Sequence, residues 1–186
     1  MRAFISIDLP YEVNKELSNI QDKFSSLKSL AGMTVVKTEN VHLTLKFLGE
    51  ISNSEINKLS NLLKEIEFEK FELELADLDY FPTKEYPRVI WLSLKPKKFV
   101  EKLYNLIDEK LKKAKIFSKS GKEDKFIPHV TVARVKYIRD KNKFAENLNK
   151  IIIKKKKFIV SSFQLKKSIL TSKGPIYETL QEFELK

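Results

Sequence analysis

NVHLTLKFLGE, at residues 40–50, and FIPHVTVARVK, at residues 126–136, contain the two histidines of this chain, His42 and His129. In both stretches the histidine is followed by an apolar residue, a threonine and a second apolar residue. Such alternation is typical of a β-strand with one buried face. We therefore predict two equivalent strands, each with histidine and threonine on one face and apolar residues on the other.

Helix and strand patterns surround these two strands in a mixed order. Strands are predicted at residues 2–8, 34–37, 41–48, 71–81, 88–94, 129–135, 157–165, 167–172 and 176–185. Helices are predicted from Pro10 to a stop at Gly32 and at residues 52–66, 97–114 and 140–150, with a polar loop at 118–125. Because strand patterns often follow one another directly, this order favours an α+β fold with antiparallel sheets over a doubly wound parallel sheet.

The pattern of strand, helix and H-x-T strand occurs early in the chain and again in its second half. This repeat predicts two lobes of similar build, each contributing one histidine strand. No low-complexity linker separates the two halves. We therefore expect residues 1–186 to form a single bilobal domain.

The composition is that of a globular protein with a polyanionic partner. Of 186 residues, 42% are hydrophobic and 33% are charged, which argues against disorder. The net charge of +11 favours nucleic acid, a phosphorylated metabolite or an anionic membrane as partner. Lysine and glutamate enrichment is also typical of heat-adapted proteins, so net charge alone does not identify the partner.

The absence of cysteine excludes a disulfide framework and a thiolate metal site, and it fits a reducing compartment. Asp8 and Pro10 interrupt the apolar N-terminal run, which is too short for a signal peptide. No segment has the length of a membrane span. We expect a cytoplasmic protein that is not associated with a membrane.

If the two strands lie side by side or face each other across a groove, two imidazoles and two threonine hydroxyls converge. That set of groups suits reaction at a phosphodiester without a metal. One neutral imidazole can take a proton from water while a protonated one gives a proton to the departing oxygen. The hydroxyls of Thr44 and Thr131 can donate to phosphate oxygens. A nearby arginine or lysine would neutralise the phosphate charge.

Other interpretations of the two histidines stay open at this point. Both can be half-buried strand residues that are hydrogen-bonded to a neighbour. A metal centre is disfavoured because only carboxylates remain to complete it, and none has a ligand-like spacing from either histidine. A Ser–His–Asp triad is disfavoured because the chain has no G-x-S-x-G motif.

Five motifs, spread in order over essentially the whole chain, resemble those of a known family: RAFISIDLP, HLTLKFLGE, RVIWLSL, FIPHVTVAR and KSILTSKGPIYETL. The paired H-x-T motifs resemble the 2H phosphoesterases. The whole chain is similar to the bacterial and archaeal RNA 2′,3′-cyclic phosphodiesterases, also called 2′-5′ RNA ligases. This resemblance implies a bilobal α+β fold, with two antiparallel sheets facing a central groove and helices outside, and no metal or other cofactor.

The resemblance also implies hydrolysis of a 2′,3′-cyclic phosphate at an RNA end to a 2′-phosphate. His42 would be the proton donor to the leaving 3′-oxygen and His129 the proton acceptor from water. The residues implied in phosphate binding are Thr44, Thr131 and Arg134. The expected partner is RNA with a cyclic phosphate end, transfer-RNA fragments among them, and we expect a monomer.

Strict alternation places Arg134 on the opposite face from His129, unless the strand ends or bulges before it. The same alternation predicts Phe47 as a core residue, and Arg88 is expected to be a charge at a strand edge. Weaker candidates for base stacking or for a place near the groove are Tyr177, Ser168 and Thr171.

Three alternatives to the cyclic phosphodiesterase activity remain. The first is a basic RNA-binding protein without catalysis. The second is a phosphodiesterase that acts on a small cyclic or linear nucleotide. The third is reversible 2′-5′ joining of RNA, which would need no residue beyond those named.

Overall fold

The computed structural model describes residues 1–116, 125–172 and 174–186, so the predicted polar loop at 118–125 lies almost entirely outside the described residues. The strands are β1 (Arg2–Asp8), β2 (Ala31–Val35), β3 (His42–Glu50), β4 (Phe71–Phe81), β5 (Val89–Lys95), β6 (His129–Ile138), β7 (Lys157–Val160), β8 (Ser162–Thr171) and β9 (Gly174–Glu184). The helices are α1 (Tyr11–Ser26), α2 (Asn53–Lys64), α3 (Lys97–Lys113) and α4 (Lys141–Asn149). This mixture confirms the predicted α+β class.

The described strands form one curled sheet in the order β7–β4–β5–β6–β3–β1–β8–β9, with β2 also paired to β6. Every strand pair in it is antiparallel. Its two halves meet between β3 and β6, where a single residue pair, Leu43 with Val130, joins them. The two predicted antiparallel sheets are therefore the halves of a continuous, sharply curved sheet.

The four α-helices found among the described residues share one core with alternate residues of the strands. Leu43 and Val130, at the junction of the two halves, are fully buried in that core. We call the face of the sheet that points away from this core the open face. Among the described residues, no helix combines the length and the apolar composition needed to cross a membrane.

The predicted start of α2 is confirmed, whereas the predicted end of α1 is wrong. Ser52 caps α2 through a capping box with Glu55, as its spacing predicts. The prediction that Gly32 ends the first helix is wrong: α1 ends at Ser26, and Gly32 lies within β2. The ring of Tyr137 packs over Gly32 at the position that a Cβ atom would occupy, so this glycine serves packing between strands.

Candidate active site

The two histidines lie on adjacent strands and on the same face of the sheet. Leu43 and Val130 form an antiparallel pair whose side chains point into the core. Because side chains alternate along a strand, the residues flanking this pair point to the open face. The antiparallel direction places His42 beside Thr131, and Thr44 beside His129. The four H-x-T side chains are thus related by an approximate two-fold axis through the Leu43–Val130 pair.

Each imidazole is fixed by the same backbone contact. His42 Nδ1 lies 2.8 Å from the carbonyl oxygen of Asn40, and His129 Nδ1 lies 2.7 Å from that of Ile127. Since a carbonyl oxygen only accepts, each Nδ1 donates a proton to this bond. Nε2 is consequently the nitrogen that gains or loses a proton in both rings.

Aromatic side chains surround both imidazoles. The ring centroid of His42 lies 4.9 Å from that of Phe4 and 5.1 Å from that of Tyr177. The ring of His129 lies 5.3 Å from Phe81 and 5.6 Å from Trp91. These contacts hold each imidazole in a partly apolar environment, which disfavours its charged form.

Burial accordingly lowers both histidine pKa values. The pKa of His42 falls to about 4, mainly through burial and further through the Lys166 ammonium, while the Asn40 carbonyl and the Asp8 carboxylate oppose this change. The pKa of His129 is also lowered, first by burial and then by the Arg134 guanidinium. Without a bound anion, His42 is therefore neutral at pH 7.

A charged pair lies beside His42 and distinguishes it from His129. Asp8 of β1 is the register partner of His42, and Lys166 Nζ lies 2.6 Å from both carboxylate oxygens of Asp8. The corresponding register partner of His129 is Ser93, a neutral residue. The Asp8 carboxylate favours an imidazolium at His42, whereas the charged group that acts on the pKa of His129 is the Arg134 cation.

A β-bulge decides the position of Arg134. In the β5–β6 ladder, Ile90 pairs with Ala133 and Trp91 pairs with Thr131, so Val132 is an extra residue. This insertion shifts the alternation by one position and turns Arg134 to the open face. Of the two arrangements that the sequence left possible, the bulged strand is the observed one. The guanidinium acts electrostatically on His129 and on Tyr177.

A second bulge, at the same place in the other repeat, makes the prediction for Phe47 wrong. Ile5 pairs with Lys46 and Ser6 with Thr44, which leaves Leu45 as the extra residue. Phe47 is therefore 58% exposed, on the same face as His42, and its ring contacts that of Phe4. Phe47 follows His42 by five residues, as Arg134 follows His129, so the two occupy equivalent places.

The remaining candidates lie at varying distances from the histidines. Tyr177 contacts His42, and Ser168 shares its face as its register partner in the β8–β9 ladder. Thr171 lies at the end of β8 and bonds to the carbonyl of Gly174. Arg88 donates to the carbonyl of Lys136 at the strand edge, in agreement with its expected surface position.

The sequence interpretation missed the aromatic residues that contact the imidazoles. Phe4, Phe81 and Trp91, which contact the imidazoles, were not predicted. For Phe4 a signal was present, because alternation along β1 places it on the opposite face from Ile5 and Ile7. Ser6 was also missed, and the buried Ser6 Oγ and Trp91 Nε1 atoms have no hydrogen-bond partner among the described residues.

Within the described residues, no three His, Cys, Asp or Glu side chains are grouped to hold a metal ion.

Comparison with known proteins agrees with this arrangement of fold and site. The model of the family described as LigT like phosphoesterase matches the chain twice, at residues 7–91 and 94–177. Each match contains one H-x-T strand, which confirms the internal repeat. The chain belongs to the LigT like phosphoesterase family.

Relatives and solved structures match over nearly the full length. The chain is 34% identical over 186 residues to an RNA 2′,3′-cyclic phosphodiesterase of Methanocaldococcus jannaschii, covering 98% of this chain and 100% of the relative. A protein of the same name from Thermotoga maritima is 37% identical over 185 residues, or 98% and 94% of the two chains. A Thermus thermophilus structure superposes with a TM-score of 0.80 at 26% identity, covering 99% and 97%. For Escherichia coli LigT with 3′-AMP the TM-score is 0.77 at 25% identity, with the same coverage.

Proposed function

We propose that this protein is an RNA 2′,3′-cyclic phosphodiesterase that hydrolyses the cyclic end to a 2′-phosphate by metal-independent acid–base catalysis. The observation that carries the proposal is the pair of H-x-T motifs, related by a two-fold axis, with both Nε2 atoms available on one face. Relatives that match nearly all of the chain are named for this activity. The net charge of +11 suits a polyanionic substrate.

In the proposed mechanism His129 is the base and His42 the acid. His129 Nε2 takes a proton from a water molecule, whose oxygen attacks the phosphorus. The bond between phosphorus and the 3′-oxygen breaks, and His42 Nε2 gives its proton to that oxygen. The products are a 2′-phosphate and a free 3′-hydroxyl, with His129 protonated and His42 neutral. Proton exchange with solvent restores the starting state.

Of the charges beside the two rings, Asp8 and Arg134 favour the proposed roles, whereas Lys166, whose effect on His42 is larger than that of Asp8, opposes them. The Asp8 carboxylate beside His42 favours the protonated ring that an acid requires. The Arg134 cation acts on His129 and favours the neutral ring that a base requires. Burial and, less strongly, Lys166 oppose protonation of His42. In the proposed mechanism the phosphodiester anion therefore supplies the attraction that protonates this ring.

Thr44, Thr131 and Arg134 are the proposed phosphate-binding residues. Both threonines lie beside the opposite histidine on the open face, where their hydroxyls can donate to non-bridging oxygens. Arg134 reaches the same face through the bulge and can neutralise the phosphate charge with two parallel hydrogen bonds.

Product analysis on a short RNA ending in a 2′,3′-cyclic phosphate tests the reaction. We expect a 2′-phosphate, because the 3′-oxygen is the leaving group. A 3′-phosphate product would mean that the 2′-oxygen departs, and the proposed placement of the acid would then be wrong. Release of no phosphomonoester, with RNA binding retained, would favour the non-catalytic alternative.

Substitution of the histidines tests the mechanism separately. His42→Ala and His129→Ala should each reduce kcat by about 10²–10⁴-fold. Asn57→Ala is a suitable control, since Asn57 is an exposed residue of α2, outside the strands that carry the H-x-T motifs. Near-normal turnover by either histidine variant would overturn the two-histidine mechanism.

A further inference from the structure

Tyr137 lies on the open face of β6, further along the strand than the proposed phosphate site. Its register partner is Gly32, which follows the buried Ala31 and so points away from the core. Arg134 precedes it on the same face, and Thr131 lies earlier on the same strand. Two of the residues between Thr131 and Tyr137 are extra residues of bulges, Val132 and Lys136. At about 3.3 Å for each regular step, Thr131 and Tyr137 are therefore roughly 13–20 Å apart.

The ring of Tyr137 has a fixed support and an exposed surface. A Cβ atom at Gly32 would come within 2.9 Å of three ring carbons, so the ring lies directly over the glycine backbone. Arg139 Nη2 donates to the Tyr137 hydroxyl at 2.8 Å, and Arg139 Nη1 donates to the carbonyls of Lys28 and Ser29 at 3.2 Å. Tyr137 nevertheless remains 52% exposed.

Positively charged side chains lie near the Tyr137 ring. The Arg139 guanidinium carbon lies 5.1 Å from the centroid of Tyr137, and Arg134 and Lys136 are exposed on either side of Val135. An exposed aromatic ring between positive charges is the arrangement that binds single-stranded nucleic acid without sequence preference. The ring stacks on a base while the cations contact the phosphates.

We infer that Tyr137, supported by Gly32 and Arg139, is a stacking site for a nucleobase several nucleotides upstream of the cyclic phosphate. The inference rests on the proposed function, because it takes a single-stranded RNA chain as the substrate. Its consequence is a length preference, since a mononucleotide held at the two histidines cannot reach Tyr137 while an oligonucleotide can.

Steady-state kinetics with two substrates test the site: 2′,3′-cyclic AMP, and a ten-nucleotide RNA ending in the same cyclic adenylate. The wild-type protein should have a lower KM for the RNA. Tyr137→Ala should raise the KM for the RNA by about 5- to 100-fold and leave the KM for 2′,3′-cyclic AMP unchanged. Tyr137→Phe should retain wild-type values, because it keeps the ring.

Two controls separate stacking from a structural effect. Tyr137→Leu covers Gly32 without a flat ring and should behave like Tyr137→Ala, which keeps the test available if the alanine variant misfolds. Tyr11→Ala removes another exposed tyrosine, on α1, and should change neither KM. Equal KM values for the two substrates in the wild type, or equal losses on both in the Tyr137 variants, would overturn the inference.

Binding of a ten-nucleotide RNA with free 2′- and 3′-hydroxyls, measured by fluorescence anisotropy, tests the site without catalysis. Tyr137→Ala should weaken this binding, and an unchanged affinity would overturn the inference. If the wild-type protein hydrolyses neither cyclic substrate, the proposed function fails, while the anisotropy measurement still decides whether Tyr137 binds RNA.

Discussion

Anion binding at the histidines should be coupled to uptake of one proton by His42. With its pKa lowered to about 4, protonating this ring at pH 7 costs about 4 kcal/mol, from three pH units at about 1.4 kcal/mol each. A bound anion must offset this cost. Each unit by which the pH is lowered reduces the cost by about 1.4 kcal/mol. Affinity should therefore rise by up to tenfold per unit as the pH falls below the pKa of His42 in the complex, and it should level off near pH 4, the pKa of the free ring.

Sulfate is a suitable probe, because it resembles phosphate and keeps its charge between pH 5 and 8. Isothermal titration calorimetry in buffers of different ionisation enthalpy measures the number of protons taken up per sulfate bound. We expect a value near one for the wild-type protein and near zero for His42→Asn, with His129→Asn close to wild type.

Three results would refute this reasoning. Affinity that does not change with pH, with no proton uptake, would mean that His42 stays neutral in the complex. Uptake that survives His42→Asn but disappears in His129→Asn would reverse the acid and base assignments. Uptake of two protons would leave neither ring available as a base.

Further predictions concern the bulges, a buried ion pair and the arginine. Leu48→Ala should lower the free energy of unfolding by about 2–5 kcal/mol because Leu48 is fully buried, whereas Phe47→Ala should change it by about 1 kcal/mol or less. Urea unfolding compares the two, and the opposite order would contradict the bulge in β3. Asp108→Ala should cost about 1–3 kcal/mol at pH 7, because the half-buried Lys46 ammonium, 2.5 Å away, loses its partner. Burial tends to raise the pKa of Asp108, but the neighbouring ammonium groups lower it overall. The difference in the free energy of unfolding between the wild type and Asp108→Ala should therefore have its full size above pH 3.8, the ordinary pKa of this carboxyl group, and should shrink as the pH falls through the lowered pKa. A difference that persists in strong acid would contradict this account. Arg134→Ala should lower kcat/KM by about 10²-fold, with Arg134→Lys intermediate because it keeps the charge but not the paired hydrogen bonds. Unchanged kinetics in Arg134→Ala would remove this residue from the phosphate site.

Local alternation was sufficient to predict most strands and the faces of their first residues. His42, Thr44 and their counterparts in the second repeat lie where a period of two places them, because nothing interrupts either strand before the threonine. The same rule failed at Phe47, where Leu45 is inserted without a partner in the ladder. A bulge depends on the register of the neighbouring strand, and that register is not contained in the pattern of one strand.

The sequence alone therefore determined the α+β class, the two-fold repeat and the choice of His42 and His129 as candidate catalytic residues. These depend on residue type and spacing within single segments. Only the tertiary structure decided the rest. It joined β3 and β6 through one residue pair, turned Arg134 and Phe47 to the open face, and placed Phe4, Trp91 and the Asp8–Lys166 pair beside the imidazoles. These contacts join residues far apart in the chain, and strand pairing and burial in the folded state bring them together.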